Sequence, residues 1–270
     1  MNNYIDKIKK FVNNFINKHA LLKRLVSIND SYNNDDGNHK VAYITYYMFL
    51  SILPLLIAAL TVLDIVFANR PNIRKQLIDS TLSSIPVIGT TLQSDLSFVK
   101  GQGLTLLVTL LILLVSVRGG SLALQDALTR ILTKKDVDKS FISKQLRAYG
   151  CMGIISIGIV VPTAINGFVE KSFLLSLVVF LLSMAWNSGT IYLIFSILVD
   201  KKHARGYGTV FGGITISLIQ FLSVLLLNNT LDKSRPLYGT LAIFLALMFW
   251  ISLQIKVLIY SAEINVTSKN

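Results

Sequence analysis

Acidic residues are scarce in this chain: Asp and Glu number 14 against 26 Lys and Arg, and charged residues of both signs make up only 15% of 270. Soluble domains carry about 25%. The shortage removes the solvated surface a large soluble core would need. Together with a hydrophobic content of 53% and a mean hydropathy of +0.60, it points to a bilayer as the solvent. A net charge of +12 on a soluble protein would suggest nucleic acid. In a membrane protein the position of the basic residues matters more than their sum, and no nucleic-acid partner is expected. There is one cysteine, Cys151, inside an apolar run. An internal disulfide and a thiol–metal cluster are thereby excluded, and the residue reads as a small buried apolar one. The three histidines, His19, His39 and His203, are scattered outside the apolar runs. No HExxH, GxSxG, CxxC or paired-carboxylate pattern occurs, so no catalytic residue, metal or cofactor is expected, and no enzyme. Residues 1–40 are polar and basic without an apolar core segment, so no cleavable signal peptide is expected there.

What the chain does have is apolar runs near 20 residues, the length that crosses roughly 30 Å of hydrocarbon as a helix. Six qualify, at about 41–67, 103–124, 148–168, 173–199, 207–229 and 237–260. Only Glu170, Lys171 and Ser172 divide the third from the fourth, so that pair also reads as one re-entrant hairpin. The expected fold is an all-α polytopic membrane protein: a cytoplasmic amphipathic helix and linker over 1–40, a six-helix membrane domain over 41–266 and a tail over 267–270. Basic residues orient it. The segments before span one, after span two and after span four hold sixteen Lys and Arg, and the opposite side holds seven. The richer side belongs to the cytoplasm, which puts both termini inside the cell membrane.

Ile5, Ile8, Val12, Phe15, Leu22 and Val26 recur at helical spacing among lysines and asparagines. Such a helix lies in the membrane interface, drawn to anionic lipid, or packs on the protein's own cytoplasmic ends. Residues 29–39 read as a flexible link to span one. In the outer segment 68–102, Ile73, Leu77, Ile78, Leu82 and Ile85, then Leu92, Leu96 and Val99, suggest two short amphipathic helices parted by Pro86 and Gly89.

Polar groups within spans are costly and so face protein or water. Arg118, beside Gly119 and Gly120, has a guanidinium able to hold a phosphate or carboxylate bidentately. The plainer readings are snorkelling to the interface or pairing with Asp126. Gln125, two turns on, is expected on the face of Arg118. Lys256, Tyr260 and Glu263 form a line on span six, where Glu263 is expected to pair with Lys256 or reach toward Arg118. Pro54 frees a backbone carbonyl in span one, either to line a site or as a packing kink. Gly206, Gly208, Gly212 and Gly213 open span five with a small surface suited to close helix packing. Such faces permit a homo-oligomer without requiring one.

Three motifs in register carry a resemblance. Ala42-Tyr43-Ile44-Thr45-Tyr46-Tyr47, running on through Ser51 and Pro54-Leu55, resembles the opening span of the YihY/BrkB membrane family. Ser116-Val117-Arg118-Gly119-Gly120 is similar to its Ser-x-Arg-Gly motif. Tyr238-Gly239-Thr240-Leu241, with Trp250 and then Ala262-Glu263-Ile264-Asn265, is similar to its last span. The resemblance covers about residues 4–266. Lys256 departs from it, standing where the family is apolar or small. The family implies a six-span inner-membrane protein of the cell envelope, once mislabelled a ribonuclease, with links to lipid export. A transporter or lipid-handling protein for an anionic substrate follows as the expectation. Its site would be drawn from Arg118, Gly119, Gln125, Pro54, Tyr47, Glu263 and Lys256, and its partners would be membrane lipids, anionic ones above all. The alternative is a non-transporting scaffold that organises envelope proteins through its basic cytoplasmic face.

Overall fold

A computed structural model describes residues 20–67, 70, 72, 73, 75, 103–134, 140–168, 173–199, 201–238 and 240–268. Among them the regular structure is all helix, with no strand. The helices are α1 (Ala20–Asn34), α2 (Gly37–Val66), α3 (Gly103–Thr133), α4 (Phe141–Phe168), α5 (Phe173–Leu198), the single turn α6 (Lys201–Ala204), α7 (Tyr207–Tyr238) and α8 (Thr240–Thr267). The six long helices have 26 to 32 residues each. They close a ring in the order α2, α3, α4, α5, α7, α8, with α8 also reaching across to α3. The two amphipathic helices expected over 68–102 fall, but for a few residues, outside the described residues.

The outer face is apolar, and polar residues are set within an apolar interior that includes Leu124, Ile131, Phe195 and Ile259. Leu181, Leu182, Phe211, Phe221, Leu245 and Phe249 are exposed, whereas Ser121, Gln125, Asn187, Ser217, Ser261 and Asn265 are buried. Two described segments, Leu177–Leu198 and Phe244–Thr267, are long and apolar enough to cross a membrane. The core helix of a soluble protein passes the same test but is mostly buried. The first of these segments is only 17% buried at a mean hydropathy of 1.7, so its apolar surface needs a solvent other than water.

Small residues and polar side chains join the helices. Asn187 of α5 donates from Nδ2 to Ser217 Oγ (2.8 Å) and Gln220 Oε1 (3.0 Å) of α7. Asn265 of α8 donates to Thr209 Oγ1 of α7 at 3.0 Å, and Ser261 donates to the carbonyl of Gly208. A Cβ on Gly208 would strike the Ser261 carbonyl, and one on Gly213 would strike the backbone of Ser188. The glycines that open α7 therefore serve close packing, as their spacing suggested.

Residues 29–39 are not a flexible link. They form the end of α1, a two-residue turn and the start of α2. Asp36 takes a left-handed φ of 53°, and the Lys40 amide donates to the Asp36 carbonyl, so the chain turns tightly from one helix into the next. Polar composition masked this, because Asn and Asp suit helix ends and tight turns as well as loops.

These contacts predict opposite effects for two glycine substitutions. Gly213→Ala forces backbone apart and lowers stability by about 1–3 kcal/mol. Gly189→Ala, whose Cβ would meet nothing within 4 Å, raises it by up to about 1 kcal/mol. Thermal melts in one detergent, wild type against each variant, check the sign of both.

Candidate functional site

The end of α1 and the turn after it meet the last two turns of α8 and the end of α3. Helix α1 docks through Tyr32, which stacks on Tyr260 with ring centroids 4.3 Å apart and planes 8° apart and donates its hydroxyl hydrogen to Asn38 Oδ1 at 2.9 Å. Burial, and then the nearby Tyr260, push the Tyr32 phenol up to about 12. Tyr260 in turn donates to Asn29 Oδ1 at 3.1 Å. One residue before Tyr32, Ser31 donates to Glu263 Oε2 at 2.9 Å. Glu263 is 0% exposed, its Oε1 has no hydrogen-bond partner, and the Asp35 carboxyl lies within hydrogen-bonding reach of it.

The cations sit around this pair. Lys134 donates to Asp35 Oδ2 in a partly exposed ion pair, and Lys40 and Arg130 lie in the same field. Burial pushes the Asp35 carboxyl up, but hydrogen bonds and the charges of Lys134 and Lys40 hold it below the usual carboxylate range. Burial lowers the half-buried Lys40 ammonium, against the pull of Asp35 and Glu263.

Beside this junction a groove of about 690 Å³ opens between α1, α7 and α8. Its walls include Leu25, Phe211 and Leu253, its tyrosines are Tyr207 and Tyr260, and its two cations are Arg24 and Lys256. Among the described residues no acidic one lines it. Lys256 Nζ also lies 6.0 Å from the centre of the Tyr32 ring. The groove presents two positive charges above an apolar wall, the complement of an anionic amphiphile.

The structure gathers some of the expected residues and separates others. The line Lys256, Tyr260, Glu263 on α8 is brought together by α1, since each of the three meets Tyr32 or Ser31. Glu263 does not pair with Lys256; Ser31 and Asp35 are its partners. Nor does Arg118 reach it. Arg118 is exposed and lies over the Phe141 ring, 5.5 Å from its centre. Gln125 does not share its face: Arg118, Asp126 and Arg130 make the exposed stripe of α3, and Gln125 is 2% exposed. The exposed stripe advances four residues at a time, so a step of seven lands beside it on the packed side. Gly119 lies against the ring of Tyr47, leaving no room there for a Cβ. The side chain of Pro54 lies outside the described residues. Of the lysines a scaffold would present, Lys134 is engaged with Asp35, and Lys135 and Lys139 lie outside the described residues.

Sequence reasoning missed Ser31, Asp35, Tyr32 and Arg24. Their signal was Ser31 and Asp35 at a spacing of four with Tyr32 between them, on a helix whose packing partner lies more than 200 residues away.

Among comparisons with known proteins, the family model described as Virulence factor BrkB matches residues 28–270. No curated protein matches the chain, and no solved structure does.

Removing the aromatic anchor should free α1. Tyr32→Leu loses the Tyr260 stack and the hydrogen bond to Asn38, about 1–3 kcal/mol together. Trypsin should then cleave at Lys23 and Arg24 several-fold faster than in wild type. An unchanged cleavage rate would mean that α1 is held by other contacts.

Proposed function

The chain belongs to the Virulence factor BrkB family and is a membrane protein, and from that premise we propose that it is a transporter or lipid-handling protein, not an enzyme, that takes an anionic lipid into the α1–α7–α8 groove. One observation carries the reading: Arg24 and Lys256 share an apolar groove that no acid among the described residues lines. A headgroup phosphate between them would satisfy both, and the acyl chain would follow Phe211 and Leu253 toward the exposed apolar surface at Val210 and Ile214.

The six long helices are read as six spans of the cytoplasmic membrane, with both termini inside by the excess of Lys and Arg on that side. Arg24 precedes span one and Lys256 stands near the inner end of span six, which sets the groove at the cytoplasmic leaflet. There anionic lipid attracts basic groups at about 1 kcal/mol each. Arg118 belongs to a separate exposed stripe and is a rival contact for the same headgroup chemistry, with the guanidinium at its disposal.

Native mass spectrometry of gently purified protein with lipids retained separates these. In the double variant Arg24→Ala, Lys256→Ala, retention of a defined anionic phospholipid should fall roughly thirtyfold, the loss of about 2 kcal/mol, while Arg118→Ala keeps it. Loss in Arg118→Ala alone would move the site to α3. Wild-type protein carrying only bulk lipid would end the lipid-handling reading.

A further inference from the structure

The groove leaves the buried carboxyl of Glu263 unexplained. Glu263 is fully enclosed, and of its two oxygens only Oε2 receives a hydrogen bond, from Ser31. The group facing it is a second carboxyl, Asp35. Glu263 is enclosed while Asp35 is partly exposed; two facing carboxylates, one of them shut off from water, repel each other, which favours a proton on the enclosed one. A proton there turns the contact into a hydrogen bond between the two groups.

The surroundings select a proton over a metal ion. The charged groups acting on Glu263 are Asp35 after the end of α1, Lys40 at the start of α2 and Lys134 after the end of α3; Arg130 acts on Lys40 beside them, and the Tyr32–Tyr260 stack joins α1 to α8 nearby. From α7 the neighbouring contact is the uncharged Thr209, bonded to Asn265. A metal ion would have to sit among these ammonium and guanidinium groups with two carboxylates for ligands. Among the described residues no group of three His, Cys, Asp or Glu is assembled to hold one. Lys134 pairs with Asp35 and draws Glu263 toward its charged form, so burial and the facing Asp35 carboxyl are what favour the proton.

Buried polarity continues inward from the pair. Tyr47 packs on Gly119 and Met48 on Gly120, while Asp35 meets Lys134, so α2 and α3 run antiparallel. In that register Thr45 stands at the level of Ser121, with Gln125 between that level and the carboxyls. Thr45 Oγ1, Ser121 Oγ and Gln125 Oε1 are all buried without a hydrogen-bond partner.

We propose that Asp35 and Glu263 form a proton site that holds one proton between the two carboxyls, and that its occupancy controls the docking of α1 on α8. With the proton in place the pair is a hydrogen bond and α1 stays seated. When the proton leaves, the second negative charge drives Asp35, and α1 with it, away from Glu263. Helix α1 carries one wall of the groove, Arg24, Leu25 and Ile28; only this consequence for the groove rests on the lipid-handling reading.

Infrared titration of the full-length protein in lipid nanodiscs tests the site without any added ligand. The expected result is a protonated-carboxyl carbonyl band at neutral pH, far above the ordinary carboxyl range near pH 4, lost in both Glu263→Gln and Asp35→Asn. No band at neutral pH in wild type, or a band that survives in both variants, overturns the proposal. Melting curves run alongside establish that each near-isosteric variant is folded. For the control of α1, tryptic cleavage at Lys23 and Arg24 should rise several-fold as pH rises through the loss of the band, and Glu263→Gln should stay protected throughout. A cleavage rate indifferent to pH while the band titrates overturns the coupling. Lipid retention by the Arg24 and Lys256 variants is measured separately, so the site and the lipid-handling reading fail independently.

Discussion

A polypeptide in hydrocarbon has no water to satisfy its backbone, and every structural choice in this chain answers to that constraint. Long helices close their own hydrogen bonds. What joins them is not apolar burial, because lipid is as apolar as Leu. Helix α7 instead meets α5 and α8 through glycines that let backbones touch and through the amides of Asn187 and Asn265. Large apolar side chains are placed on the outside as well as in the core: on α5, Leu181 and Leu182 are exposed while Ile191 and Phe195 are buried. An apolar outer face is a physical consequence of the solvent and agrees with membership of a membrane-protein family.

The same constraint makes the α1–α8 junction exceptional. A carboxylate closed off from water is costly unless charge or hydrogen bonds compensate it. Glu263 has one hydrogen bond from a serine and faces a second acid. The compensation comes from separate parts of the chain: Ser31 on α1, Lys40 on α2 and Lys134 just past α3, around a carboxyl carried by α8. A group whose surroundings come from so many elements couples their positions, because moving any one of them changes its electrostatics.

The apolar runs were enough to place the helices. Those expected at 103–124, 173–199 and 207–229 begin where α3, α5 and α7 begin, because a hydropathy run is local and needs no knowledge of partners. Helix ends were less legible. Helix α3 continues nine residues past its expected end through Gln125, Asp126 and Arg130, since polar residues can continue a helix after its apolar run has ended. The turn between α1 and α2 was hidden for the converse reason: Asn and Asp serve helix ends, tight turns and loops alike. In the candidate site, the line from Lys256 to Glu263 could be read from spacing on one helix. Its partners could not, because Ser31 and Glu263 are 232 residues apart. Arg118 drew attention as the most polar group in a span, yet an arginine with a long aliphatic stem can lie on a helix surface beside an aromatic ring. The quieter carboxylate near the chain end was the one that had to be enclosed.

Among the described residues, the directional contacts of α1 are concentrated toward its end. Asn29, Ser31 and Tyr32 make its directional contacts with α8, all in its last six residues. Toward its start, Leu25 and Val26 are exposed and Arg24 lines the groove. Exposed apolar and basic side chains toward the start of a helix suit a membrane interface, and directional contacts toward its end suit packing on protein. On the lipid-handling reading the two would act on different stretches of α1, and the strength of its contacts with α8 would then set how far lipid could draw the groove open.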